Sequence, residues 1–177
     1  MTRTFSTRTI SLFKSLTILI LLLTIPGCDA GLDPDRGKVG TLTPDFSVID
    51  IDGNAFATES LKGSILVLNF WFISCPPCLR EIPELNNLVE KYREKEVVFI
   101  AFARDSKSDL KKFLEAKDFD YNIIAKSKRM TKTFNTHGFP TNMIIDQNGK
   151  IVFHKAAYDK DRVSEMDKIL STLLDNS

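Results

Sequence analysis

The strongest constraint on this chain is a junction. The run Ile65-Leu66-Val67-Leu68-Asn69-Phe70-Trp71-Phe72 is apolar but for one asparagine, and it leads almost directly into Cys75-Pro76-Pro77-Cys78. Beyond it, Leu79, Ile82, Leu85, Val89 and Tyr92 recur at helical spacing. A near-continuous apolar strand belongs in the middle of a sheet covered on both faces. The junction therefore predicts a buried strand, a tight turn carrying two cysteines, and a helix opening on the second of them. Two thiols at this spacing can close a disulfide within one short turn, and helix amide dipoles at that end stabilise a thiolate. Pro77 is tolerated in a first helical turn, whereas Pro83 removes an internal hydrogen bond and predicts a kink.

The chain around the junction alternates strands and helices. Phe46 to Asp50, the turn Asp52-Gly53-Asn54 and Ala55-Phe56-Ala57 read as a hairpin, and Thr58 and Ser60 can cap a short turn through Leu61. Val97 to Ala103 is a second buried strand, followed by a helix capped by Ser106 with Leu110, Phe113 and Leu114 on one face. A short strand near Tyr121 to Ala125 and a short helix near Lys128 to Asn135 come next. Asn142 to Asp146, the turn Gln147-Asn148-Gly149 and the return strand Ile151 to His154 make another hairpin. A closing helix turns Val163, Met166, Ile169 and Leu173 inward. The order β-β-β-α-β-α-β-α-β-β-α predicts an α/β fold with a mixed central sheet, helices on both faces and an N-terminal β-hairpin extension.

The first 27 residues carry Arg3, Arg8 and Lys14 and no acid, and they contain an apolar run from Leu16 to Ile25. A basic start, a short apolar segment and a small-residue exit read as a secretory signal, since a membrane span needs roughly 18 or more apolar residues. The exit, Ile25-Pro26-Gly27-Cys28, resembles a bacterial lipoprotein signal. That resemblance implies cleavage before Cys28 and lipidation of it, holding the chain to a membrane. The expected organisation is thus a signal over 1–27, a flexible tether over 28–43, and a domain over 44–177. Composition enters here. Losing Arg3, Arg8 and Lys14 takes the formal charge from +1 to −2, which argues against a nucleic-acid partner. With Cys28 lipidated, Cys75 and Cys78 remain as one pair, available for redox chemistry or for metal.

A C-x-x-C beside a βαβ pattern reads first as a thioredoxin-like redox site. Further residues strengthen that: Leu61-Lys62-Gly63, Val67-Leu68-Asn69-Phe70-Trp71, Glu81-Ile82-Pro83 and Gly138-Phe139-Pro140-Thr141. With these blocks the chain, from about Leu42 to Leu174, resembles the thioredoxin superfamily and within it the membrane-anchored TlpA/ResA-like thiol-disulfide oxidoreductases. The resemblance implies a thioredoxin-like fold and a redox-active Cys75–Cys78 disulfide. It also implies a cis Pro140 opposite the cysteines, and a substrate-facing surface formed by Phe139, Pro140 and Trp71. Cytosolic thioredoxins place a buried Asp where this chain has Asn69, which cannot titrate. The resemblance moves the proton acceptor to Glu81, because a carboxylate beside a thiolate raises the thiol pKa and can shuttle its proton. A bland alternative for Glu81 is a solvated residue favoured by the helix dipole.

The expected mechanism has Cys75, on the exposed side of the turn, as nucleophile and the more buried Cys78 as resolving thiol. Pro76 and Pro77 lack N–H groups, so the turn offers fewer donors to a thiolate, which biases the site toward reduction. The expected partners are disulfide-bearing exported proteins, such as apocytochrome c, and an upstream thiol reductant; the chain itself is expected to be a monomer. No cofactor or metal is expected, and the expected location is the periplasmic side of a bacterial membrane. Two other readings share the fold. A peroxiredoxin-like peroxidase needs a Thr or Ser three residues before its cysteine, where this chain has Phe72, and a Pro further back, where it has Leu68. A copper-delivery protein needs two thiolates and a histidine; His137 and His154 are the available histidines.

Overall fold

The computed structural model describes residues 37–176. The expected signal over 1–27, the lipidation site Cys28 and the first part of the expected tether lie outside the described residues.

Strand β3 (Ile65–Trp71) is buried at every position and sits at the centre of a five-stranded sheet. It pairs in parallel with β4 (Val97–Ala103), which pairs in parallel with β5 (Asn122–Ile124) at one edge. On its other side β3 runs antiparallel to β6 (Thr141–Ile145), and β6 antiparallel to β7 (Ile151–Ala156). The spatial order is β5-β4-β3-β6-β7, with a separate hairpin of β1 (Ser47–Ile49) and β2 (Ala55–Ala57). Among the described residues a 3-10 turn (Thr58–Leu61) and four α-helices accompany the strands: α1 (Pro76–Lys91), α2 (Lys107–Leu114), α3 (Lys128–Thr133) and α4 (Arg162–Asp175). The mixed sheet, the hairpin and the element order agree with the sequence pattern.

Side-chain alternation along β3 divides the core in two. Ile65, Val67 and Trp71 join Ile82, Leu85 and Leu88 of α1, Leu110 of α2, and Val163, Met166 and Leu170 of α4. Leu66, Leu68 and Phe70 face the other way, toward Phe46 before the hairpin and toward Met130 and Phe134 of the α3 region. Phe70 stacks on Phe102 with ring centroids 5.0 Å apart, and both lie near Phe134. Burying each such side chain contributes roughly 1.5–3 kcal/mol, enough to hold strand and helices in one register.

Local signals behave as their chemistry demands. The β6–β7 turn forms because the Asp146 carboxylate accepts the N–H groups of Asn148 and Lys150, at 3.0 and 2.8 Å, while Gly149 takes φ +76°. Ser106 caps α2 by accepting the Asp109 N–H at 3.2 Å. Helix α1 begins at Pro76, ahead of the second cysteine, because Cys75 itself serves as its N-cap, and it runs unbroken through the exposed Pro83.

The tether boundary needs correction. Residues 40–43 lie along the β7 end of the sheet. The Gly40 N–H donates to the Ile151 carbonyl (2.8 Å), the Ile151 N–H to Thr41 (2.9 Å), and the Thr43 N–H to Gly149 (2.8 Å). His154 Nδ1 lies 2.5 Å from the Gly37 carbonyl. The segment thereby pairs both backbone groups of Ile151 at the start of the β7 edge. Residues 37–43, placed in the expected tether, are thus hydrogen-bonded to the sheet.

Candidate active site

Cys75 and Cys78 form a disulfide at the start of α1, with Cα atoms 5.3 Å apart. The turn is fixed from both ends: the Cys75 N–H donates to the Phe72 carbonyl at 3.2 Å and the Leu79 N–H to the Cys75 carbonyl at 3.1 Å. Pro76 and Pro77 occupy the first helical positions, where a missing N–H costs nothing. One backbone donor remains inside the turn, the Cys78 N–H, 3.3 Å from Cys75 Sγ. Cys75 is 3% exposed and Cys78 1%. The expectation of an exposed Cys75 is thus corrected: in the closed disulfide both sulfurs belong to the α1 side of the core, where Phe72, Ile73 and Phe139 pack against that cluster.

The loop before β6 adjoins the cysteine turn. The Phe139–Pro140 peptide is cis, and Pro140 is buried. Its carbonyl accepts the Ala157 N–H at 2.9 Å, and the Thr141 hydroxyl donates to the Gly138 carbonyl at 2.7 Å. The Phe139 ring meets Phe72 edge-on, centroids 5.2 Å apart, which joins this loop to the cysteine turn. Trp71 does not share that surface. It is 1% exposed and wedged between Phe113 and Phe119, at 5.3 and 5.2 Å, because alternation along β3 points it into the core.

A buried polar cluster lies on the disulfide's face of the sheet. Asn69 of β3 and Asn142 of β6 are directly paired across the ladder, and Glu81, one helical turn after Cys78, covers them from α1. Asn69 Nδ2 donates to Glu81 Oε1 (2.9 Å) and to Asn142 Oδ1 (2.8 Å). Asn142 Nδ2 donates to Glu81 Oε1 and Oε2 at 3.1 and 3.3 Å. Glu81 is 2% exposed, which excludes the solvated alternative. Burial pushes its carboxyl up to about 7, against the opposing pull of the two asparagine amides and the Arg162 charge, with Glu84 adding a small upward push. A carboxyl titrating there can hold or release a proton near neutral pH. Tyr121 stands close enough for the Glu81 charge to add to the effect of burial, and both raise its pKa; its hydroxyl has no hydrogen-bond partner.

Asn142, Tyr121 and Arg162 escaped the sequence reading. Asn142 had one available signal, a polar residue inside an otherwise apolar strand, but only the β3–β6 register puts it opposite Asn69. Among the described residues no cluster of three or more His, Cys, Asp or Glu side chains could hold a metal. His137 is exposed, and His154 is half-buried against Gly37, its pKa lowered by burial. Phe72 fills the position where a peroxide pocket needs a hydroxyl.

A cysteine pair at a helix start, joined through Phe72 and Phe139 to a cis-proline loop within a mixed sheet, defines a thioredoxin-fold thiol-disulfide oxidoreductase. Comparison with known proteins agrees. The AhpC/TSA family profile matches residues 39–154. The thiol-disulfide oxidoreductase ResA of Bacillus cereus is 34% identical over 122 residues, covering 68% of this chain and 70% of that one. The thioredoxin-like protein YneN of Bacillus subtilis is 31% identical over 115 residues, covering 63% and 68%. A crystal structure of a thiol:disulfide interchange protein of the thioredoxin family from Chlorobium tepidum superposes with TM-score 0.67 at 25% identity, covering 76% of this chain and 97% of that one. The chain belongs to the AhpC/TSA family, among its TlpA/ResA-like members in the thioredoxin superfamily.

Proposed function

We propose that this oxidoreductase acts outside the cytoplasm, anchored to a bacterial membrane through a lipidated Cys28, and reduces disulfides in exported proteins, apocytochrome c among them. In the reduced enzyme the Cys75 thiolate attacks a substrate disulfide. A Cys75–substrate bond forms, and the other substrate sulfur leaves as a thiolate and takes a proton. Cys78, deprotonated, then attacks Cys75 Sγ; the Cys75–Cys78 disulfide forms and the second substrate thiol is released. Two electrons pass to the substrate, and an external dithiol donor must return them. Glu81 takes the role of proton acceptor for Cys78, and Phe139 with Pro140 lines the substrate. Trp71 keeps only a packing role.

The reducing direction rests on one observation. With Pro76 and Pro77 lacking N–H groups, Cys75 Sγ has a single backbone donor inside the turn, the Cys78 N–H. A strongly oxidising site needs a well-stabilised thiolate, and the Glu81 carboxylate works against one. The test is the reduction potential of the Cys75–Cys78 couple. A value far more negative than DsbA's roughly −120 mV is expected, and a value near it would sink the reductase assignment.

The AhpC/TSA match brings a peroxidase into consideration. Phe72 and Leu68 stand where that chemistry needs a hydroxyl and a proline. No thiol-dependent consumption of hydrogen peroxide above background is expected.

A further inference from the structure

The rim of the disulfide site carries an exposed cation that rests against two aromatic rings. Arg104 lies at the end of β4, its backbone N–H donating to the Trp71 carbonyl at 3.3 Å. Its guanidinium carbon sits 5.7 Å from the Phe72 ring centroid and 5.6 Å from that of Phe139. These two rings join the cysteine turn to the cis-proline loop, so the guanidinium stands over the seam between them. Arg104 is exposed, and among the described residues no carboxylate pairs with it. The adjacent carboxylate, Asp105, is engaged elsewhere: its Oδ2 accepts the Ile73 N–H at 2.9 Å.

A guanidinium resting on ring faces keeps its in-plane N–H groups free, and those groups match a carboxylate bidentately. An exposed cation–π contact of about 0.5–1 kcal/mol reduces the freedom of a side chain that would otherwise wave in solvent. The rim therefore sets one exposed cation against two aromatic rings. We propose that Arg104, seated on Phe72 and Phe139, is a specificity-determining residue that receives an acidic side chain flanking the reacting cysteine of the substrate polypeptide. The proposal rests on the disulfide-reductase reading above and names the class of polypeptide that site prefers.

The test uses the full chain, reduced with dithiothreitol and freed of it. Single-turnover exchange is followed with three disulfide-bridged peptides that differ only in carrying Glu, Gln or Lys two residues from the cysteine. At low salt the Glu peptide should react roughly 3- to 5-fold faster than the Gln peptide, and the Lys peptide slowest, as befits an exposed ion pair. High salt should compress the ratio. Arg104→Gln should bring it to about 1, and Arg104→Glu should reverse the order. Lys117→Glu, the same charge change on a remote exposed residue, should keep the wild-type order. Equal rates for the three peptides in the wild type, or a Glu preference that survives Arg104→Gln, overturns the proposal while leaving the oxidoreductase reading intact. Absence of exchange with all three and with the neutral hydroxyethyl disulfide overturns both.

Discussion

The two faces of the central sheet are made from alternate residues of the same strands, yet they are built for opposite ends. On one, Leu66, Leu68 and Phe70 pack with Phe102, Phe134 and Met143, rings against rings. On the other, Val67 and Trp71 flank Asn69, which pairs with Asn142 beneath the buried carboxyl of Glu81. The first face converts apolar area into stability. The second gives some of it up, because a carboxyl held at about 7 favours the fold only while protonated. The redox pair stands at the end of that second face, one helical turn from the group that can exchange a proton near neutral pH.

Breaking the apolar face should cost the most. Phe70→Ala should lower the unfolding free energy by about 3–5 kcal/mol in denaturant titrations, equally at pH 5 and pH 8, since nothing it touches titrates in that range. Next comes Glu81. Its pKa is raised on folding, so the native state holds a proton that the unfolded chain releases between the ordinary value of 4.5 and about 7. Stability should therefore fall as pH rises through that window and level off above it, by about 3 kcal/mol in all. Glu81→Gln should flatten this slope, and a wild type with no slope there would remove the basis for a buried proton acceptor. Asn142→Ala should be milder, about 1–3 kcal/mol, and should appear at pH 8 rather than pH 5, because it removes donors to the ionised form. Tyr121→Phe is the smallest change. Deleting a buried hydroxyl without a partner should be neutral or stabilising by no more than about 1 kcal/mol.

The same contrast explains what could be read from residue order. Ile65 to Trp71 and the helix after it were legible because burial on both faces and helical periodicity leave direct marks, and Pro140 because Gly-Phe-Pro-Thr marks a loop already tied to the cysteine motif. Glu81 was legible as a candidate, but its burial was not: that depends on α1 lying over β3 and β6, and hence on pairing between residues 69 and 142. Asn142 showed only as a polar residue in an apolar strand, and its place opposite Asn69 depends on the same pairing. Trp71 was expected on the substrate-facing surface from the resemblance alone, whereas strand alternation sends it inward to Phe113 and Phe119. The segment before Thr43 looked like a tether because backbone hydrogen bonds to an edge strand leave no apolar pattern.

The central claim is that Glu81, held by Asn69 and Asn142, governs the protonation of the cysteine pair. It is tested most directly by the pH dependence of Cys75 alkylation with iodoacetamide in the reduced protein, comparing wild type with Glu81→Gln. The account predicts that the half-maximal pH drops by about one unit in the variant, because the carboxylate no longer opposes the thiolate. Superimposable curves would contradict it.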